Sequence, residues 1–255
     1  MIRVAAFLFT AVLSLPAAAQ DVLILGEIHD NPIHHALQAE RVDELQPAAI
    51  VFEMLTPDQA SAVTPENRSS KEKLAAALKW GESGWPDFSM YYPIFGAAPD
   101  AKIYGAQVPR DVARGVRDAG LAHGFSGNAA LYGLSEPLPE SQQIKREAMQ
   151  MAAHCDALPE ELLPAMVDIQ RLRDAELARA VVSAMRTTGG PVAVITGNGH
   201  ARRDWGVPSY LQRVAPELDL LVIGQAEVGR TIHGTFDEVV TADPVDRPDP
   251  CAAFQ

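Results

Sequence analysis

The chain has 255 residues, with 33 acidic against 21 basic side chains and a formal net charge of −12 at pH 7. That length supports one well-buried core, and no Ser/Gly tract, long charge block or internal repeat marks a second domain. The acidic surplus argues against a nucleic-acid partner and against a purely electrostatic hold on anionic lipid, because both need clustered cations.

Arg3 precedes an apolar run from Val4 to Leu15, and Ala17-Ala18-Ala19 then sets small residues where a signal peptidase reads. The run is too short to span a bilayer, which takes about 20 residues. Residues 1–19 are therefore predicted to be a cleaved signal peptide, with a buried N-terminal helix as the alternative. No cysteine stands at the junction, so a lipoprotein anchor is not supported. Residues 20–255 are expected as one domain in the periplasm or secreted, without a membrane span.

Strands and helices alternate from there. Val22–Leu25 reads as a strand ending in Gly26-Glu27-Ile28-His29. Asp30 is the expected N-cap of a helix with Pro32 in its first turn, running to about Leu45. Ala48–Phe52 is the next strand, ending in Glu53-Met54, and Thr56-Pro57-Asp58-Gln59 has the form of a capping box. The segment 61–99 is less regular, with Trp80, Trp85-Pro86 and Tyr91-Tyr92-Pro93, and reads as an excursion over one edge of the sheet. Ala101–Tyr104 is a third strand, and Pro109–Ala119 is a helix stopped by Gly120. A long helix is predicted from Pro159 to about Met185, before Gly189-Gly190. Val192–Thr196 is a strand ending in Gly197-Asn198-Gly199-His200. A short helix over Pro208–Val214 precedes a last strand, Leu218–Ile223. Near-continuous β-branched runs indicate strands covered on both faces, so the fold class is α/β with a mainly parallel sheet flanked by helices. The two cysteines, Cys155 and Cys251, read as one disulfide in an oxidising compartment; two free thiols are the alternative.

The polar residues gather after strands. Glu27, His29, Glu53, Gln107, His200 and Gln225 all follow predicted carboxyl ends, the edge where an open parallel sheet forms its ligand crevice. Glycines ahead of each histidine allow close backbone approach. Two imidazoles and two carboxylates there, His29, His200, Glu27 and Glu53, suit a divalent transition metal, with Glu27 or Glu53 as base on a bound water. The bland readings are that Glu53 is a buried carboxylate satisfied by Arg110 or backbone amides, and that His34 and His35 are exposed helix-face residues. The aromatic excursion is either packing or one wall for a large planar ligand such as haem. Lys79, Arg110, Arg202 and Arg203 are candidate partners for its propionates.

Gly26-Glu-Ile-His-Asp-Asn-Pro32 with His34-His35 and Gln38, Phe52-Glu53-Met54, Gly84-Trp-Pro-Asp-Phe88, Tyr92-Pro93, Ala153-His-Cys155, Gln170-Arg-x-Arg-Asp174 and Gly197-Asn-Gly-His200-Ala-Arg202 together resemble the ChaN family of haem-binding uptake proteins. That family is grouped with Tiki, TraB and erythromycin-esterase-like proteins, some of which resemble metal-dependent hydrolases. The resemblance implies haem handling in iron uptake, with haem at a homodimer interface. It implies Tyr91 or Tyr92 as candidate iron ligand and His34, His35 and Lys79 as candidate propionate contacts. The rival expectation is a metal-dependent protease or esterase at the paired Gly-x-x-His segments.

Overall fold

Six parallel strands form one sheet in the computed structural model, which describes residues 20–249 and 251–252. They are β1 (Val22–Glu27), β2 (Ala49–Phe52), β3 (Lys102–Gly105), β4 (Val192–Gly197), β5 (Leu220–Glu227) and β6 (Glu238–Ala242), in the order β3-β2-β4-β1-β5-β6. The predicted signal peptide, residues 1–19, lies outside the described residues.

Alternation along each central strand feeds two cores. Val22 and Ile24 of β1, Ala49 and Val51 of β2, and Val192 and Val194 of β4 face one side. There they meet Leu172, Leu177 and Val181 of the Leu163–Thr188 helix, with Val116 and Leu211 from two flanking helices. Leu23, Leu25, Ile50, Phe52, Ala193 and Ile195 face the other side, against Val42, Leu74, Tyr91, Ile94 and Phe95. Every residue of β1, β2 and β4 is buried, which is why their sequences run apolar without a polar face.

The predicted α/β architecture is present, and the differences from expectation are local. The Pro32–Leu45 helix is capped by Asn31, whose side chain accepts from the Ile33 amide, while Asp30 pairs with Arg247 instead. The Thr56 capping box forms as expected. The 61–99 segment covers a face of the sheet, not an edge: helices Lys71–Ala77 and Phe88–Ala97 build the second core, and the Trp80 indole donates to the Pro86 carbonyl. The long helix begins after a 3-10 turn, at Leu163. Strand β6 and the Glu140–Ala153 helix are additions to the predicted elements. Both are half-exposed, so neither carries the apolar run that marks a buried strand or helix.

Cys155 and Cys251 form a disulfide with Cα atoms 5.5 Å apart, fixing the chain's tail beside the end of the Glu140–Ala153 helix. Among the described residues no helix is long and apolar enough to cross a membrane.

Candidate functional site

The register places Glu27 of β1 opposite Gly197 of β4, so the two Gly-x-x-His segments leave the sheet side by side. β2 flanks β4 on its other edge, which sets Glu53 next to the same turn. Gly26 is required here, since a Cβ would strike the Asn198 carboxamide. That carboxamide in turn accepts from the Gln225 amide (3.0 Å) and donates to the Gln225 carbonyl (2.7 Å). The Gln225 side chain donates to the carbonyls of Gly26 and His34, so the ends of β1, β4 and β5 are stitched into one ledge.

Each histidine of the pair rests on a carboxylate through Nδ1. His29 Nδ1 donates to Glu27 Oε1 at 2.6 Å, and the Tyr91 hydroxyl donates to the same oxygen at 2.9 Å. His200 Nδ1 donates to Asp174 Oδ1 at 2.6 Å, and its Nε2 lies 3.5 Å from Glu53 Oε1. Glu53 is held through its second oxygen by the Thr196 hydroxyl (2.7 Å) and the Gly197 amide (2.8 Å), not by Arg110. His29 leaves Nε2 uncommitted. This atom sits over Gly197, where an added Cβ would come within 2.9 Å of it, and Trp85 packs edge-on to the ring.

The charges support one another. Burial acts to lower the pKa of His29, but the Glu27 hydrogen bond and the charges of Glu53, Glu27 and Asp30 outweigh it and hold the value at about 9. Burial would raise Glu53, yet His200, His29, the Gly197 amide and the Thr196 hydroxyl bring it down to about 2. His200 is raised likewise: burial opposes its charge, and Glu53 and Asp174 override it. Near neutral pH His29 is therefore an imidazolium beside the Glu53 carboxylate, able to donate a hydrogen bond or a proton from Nε2.

The remaining sequence-nominated residues divide by depth. His34 and His35 are fully buried, not exposed helix-face residues. His34 Nδ1 accepts from the Ile28 amide, and His35 Nε2 donates to the His29 carbonyl, so both brace the loop that carries His29. His35 Nδ1 stands 3.3 Å from Glu27 Oε2 without the alignment of a hydrogen bond. Tyr91 is also fully buried, with its hydroxyl on Glu27. Of the set the resemblance implies for haem, Tyr92 and Lys79 alone reach the surface, and the Tyr92 hydroxyl donates to the Arg68 carbonyl. The proposed metal set is largely committed: one nitrogen of each imidazole and one or both oxygens of each carboxylate already have partners. Among the described residues, no group of three or more His, Cys, Asp or Glu is placed to hold a metal ion.

Sequence reasoning missed Asp174 and Thr196 as members of this cluster. Asp174 stands on the Leu163–Thr188 helix, and its signal was its place at the end of the Gln170-Arg-x-Arg-Asp174 motif. A cavity of about 200 Å³ opens beside the cluster, lined by Glu53, Trp85, Gln107, Arg110 and Arg173.

Residues 15–211 match the family described as haem-binding uptake, Tiki superfamily, ChaN. The chain belongs to this family. Among solved structures, the fold is similar to one described as cofacial heme binding to ChaN of Campylobacter jejuni, at 20% identity and TM-score 0.63, covering 84% of each chain. The type III effector HopBA1 is also similar, at 14% identity and TM-score 0.48 over 88% of each chain. No curated protein sequence matches the chain. The family match accounts for the ordered motifs from Gly26 to Arg202, and the ChaN fold accounts for the sheet that brings them together.

Proposed function

We propose that this chain is an exported haem-binding protein that serves haem or iron uptake, with haem as its cargo. The observation that carries this reading is the match to the ChaN family over residues 15–211, most of the chain. The fold's likeness to a protein described as binding cofacial haem supports it. The disulfide accords with an oxidising compartment such as the periplasm. The same resemblance gives a homodimer with haem at its interface as the working assembly.

The test is a haemin titration of the purified chain followed by absorption spectroscopy, with light scattering on the loaded protein. A Soret band that saturates at a fixed haem-to-chain ratio, together with a mass of two chains, is the expected result. A titration no different from free haemin at about micromolar protein overturns the function.

A further inference from the structure

One face of the Leu163–Thr188 helix opposes the start of the Arg110–Ala119 helix, and side chains do not fill the space between them. Met166, Ile169, Gln170 and Arg173 recur at helical spacing along that face and line a cleft of about 460 Å³. This cleft runs into the cavity of about 200 Å³ beside Glu53, because Arg110 and Arg173 line both. Gly84, at φ +79, sets the Trp85 loop against Arg110: an added Cβ there would stand 3.1 Å from a guanidinium nitrogen. Two cations from two helices and an indole from a loop therefore converge on one junction.

These donors lack partners inside the protein. Arg171 and Arg179, on the same long helix, pair with Asp168 and Glu176. Among the described residues Arg173 and Arg110 make no ion pair, although their chain carries a net charge of −12. Trp85 Nε1 is buried without a hydrogen-bond partner. Glu53 is the one carboxylate lining either space, and it is committed to Thr196, Gly197 and His200. Two neighbouring guanidiniums with no acid between them form a seat for an external anion.

The geometry favours a tetrahedral anion over a planar one. Donors arrive from three separate elements, and a phosphate offers three terminal oxygens and close to two charges, where a carboxylate offers two oxygens and one charge. Gln170 adds a second requirement. Its Oε1 is buried without a donor, one helical turn from Arg173 on the same face, so a bound molecule gains by bringing a hydroxyl to it.

We propose that this junction binds a small hydroxylated phosphomonoester. The phosphate lies between Arg110 and Arg173 and accepts from the Trp85 indole, while a hydroxyl of the alcohol part donates to Gln170 beside Met166 and Ile169. The site is independent of the haem reading, and it needs neither a metal nor a second copy of the chain.

The experiment is calorimetric titration of the purified, disulfide-bonded chain at low salt with inorganic phosphate, glycerol 3-phosphate, ethyl phosphate and acetate. Glycerol 3-phosphate is expected to bind with a Kd of about a millimolar or below, and tighter than ethyl phosphate. Arg110→Gln and Arg173→Gln are each expected to weaken it about tenfold or more. Gln170→Leu should bring it down to the affinity of ethyl phosphate. Lys73→Gln, which removes an exposed cation elsewhere, should change nothing. Should Arg173→Gln fail to fold, the exposed Arg110 decides. No binding of any phosphate at about 10 mM overturns the site, as does equal weakening in Lys73→Gln. Acetate binding as tightly as inorganic phosphate overturns the choice of a phosphomonoester. A chain that binds haemin but no phosphate loses this site alone.

Discussion

His200 Nδ1 donates to Asp174 at 2.6 Å, so a strand-end histidine is oriented by an aspartate from the helix that packs beneath the sheet. Both side chains are buried, and Glu53 faces the ring's other nitrogen. Removing one member of a buried pair leaves the other uncompensated, typically about 3 kcal/mol or more. Asp174→Asn is therefore expected to lower the unfolding free energy by about that amount. Adding His200→Ala to it should cost much less than the sum of the two single changes. Urea denaturation of the two single variants and the double variant measures this coupling, and strict additivity would refute it.

The opposed shifts at His29 and Glu53 set a pH window for stability. His29 is raised in the folded state, so its contribution is complete below its unfolded value of 6.5 and fades as pH climbs through about 9. Glu53 is depressed, so its contribution is complete above 4.5 and fades as pH falls toward about 2. The two overlap between 4.5 and 6.5, where this cluster stabilises the fold most. Urea midpoints at about pH 3, 5.5 and 9 should peak at the middle value. In Glu53→Gln both flanks should flatten, because each group's shift depends on the other. An unchanged profile in that variant would remove Glu53 from the account.

The sheet and the two Gly-x-x-His strand ends were legible because buried parallel strands are written as uninterrupted Val, Ile, Leu and Ala, and glycine marks their exits. Glu53 was legible for the same reason, one residue beyond Phe52. Asp174 showed only as the end of a motif, without a role, since a helix interior gives no local sign that one acid turns toward a strand end. Of the two readings of His34 and His35, exposure on the helix face fails: two histidines in a first helical turn carry no periodicity, and only the fold reveals that Ile28 and Gln225 meet His34 and that Tyr91 packs on His35. β6 escaped because Glu238–Ala242 is an exposed edge strand paired to β5 alone.

A single arginine, Arg247, ties the tail to the strand ends. Its guanidinium makes four hydrogen bonds of 2.7 to 2.8 Å to Asp30 and Glu227. Arg247 is the main cause that brings Glu227 to about 2; burial opposes it, and Asn31 assists. The disulfide holds the same tail four residues further on, at Cys251. Reduction is expected to lower stability by roughly 4.7 kcal/mol on the chain-entropy account, with the thermal midpoint falling accordingly. Arg247→Ala should add tail-specific protease cleavage after reduction and little before it. Equal cleavage rates in reduced wild type and variant would show that the arginine does not secure the tail.

Gly197 tests the geometry of the whole cluster most directly. It has ordinary backbone angles, φ −65 and ψ 152, so alanine there carries no conformational strain. The added methyl would instead fall 2.9 Å from His29 Nε2 and 3.7 Å from Glu53 Oε2. The His29 ring must then swing away from β4, lengthening its separation from Glu53 and disturbing the Glu27 hydrogen bond. Gly197→Ala is expected to bring the His29 pKa down from about 9 toward 6.5 while the sheet stays intact. Titration of the His29 ring protons by NMR reads this shift, and amide spectra of β1 and β4 report on the sheet. A His29 that still titrates near 9 in the variant would mean that the ring does not depend on the space above Gly197.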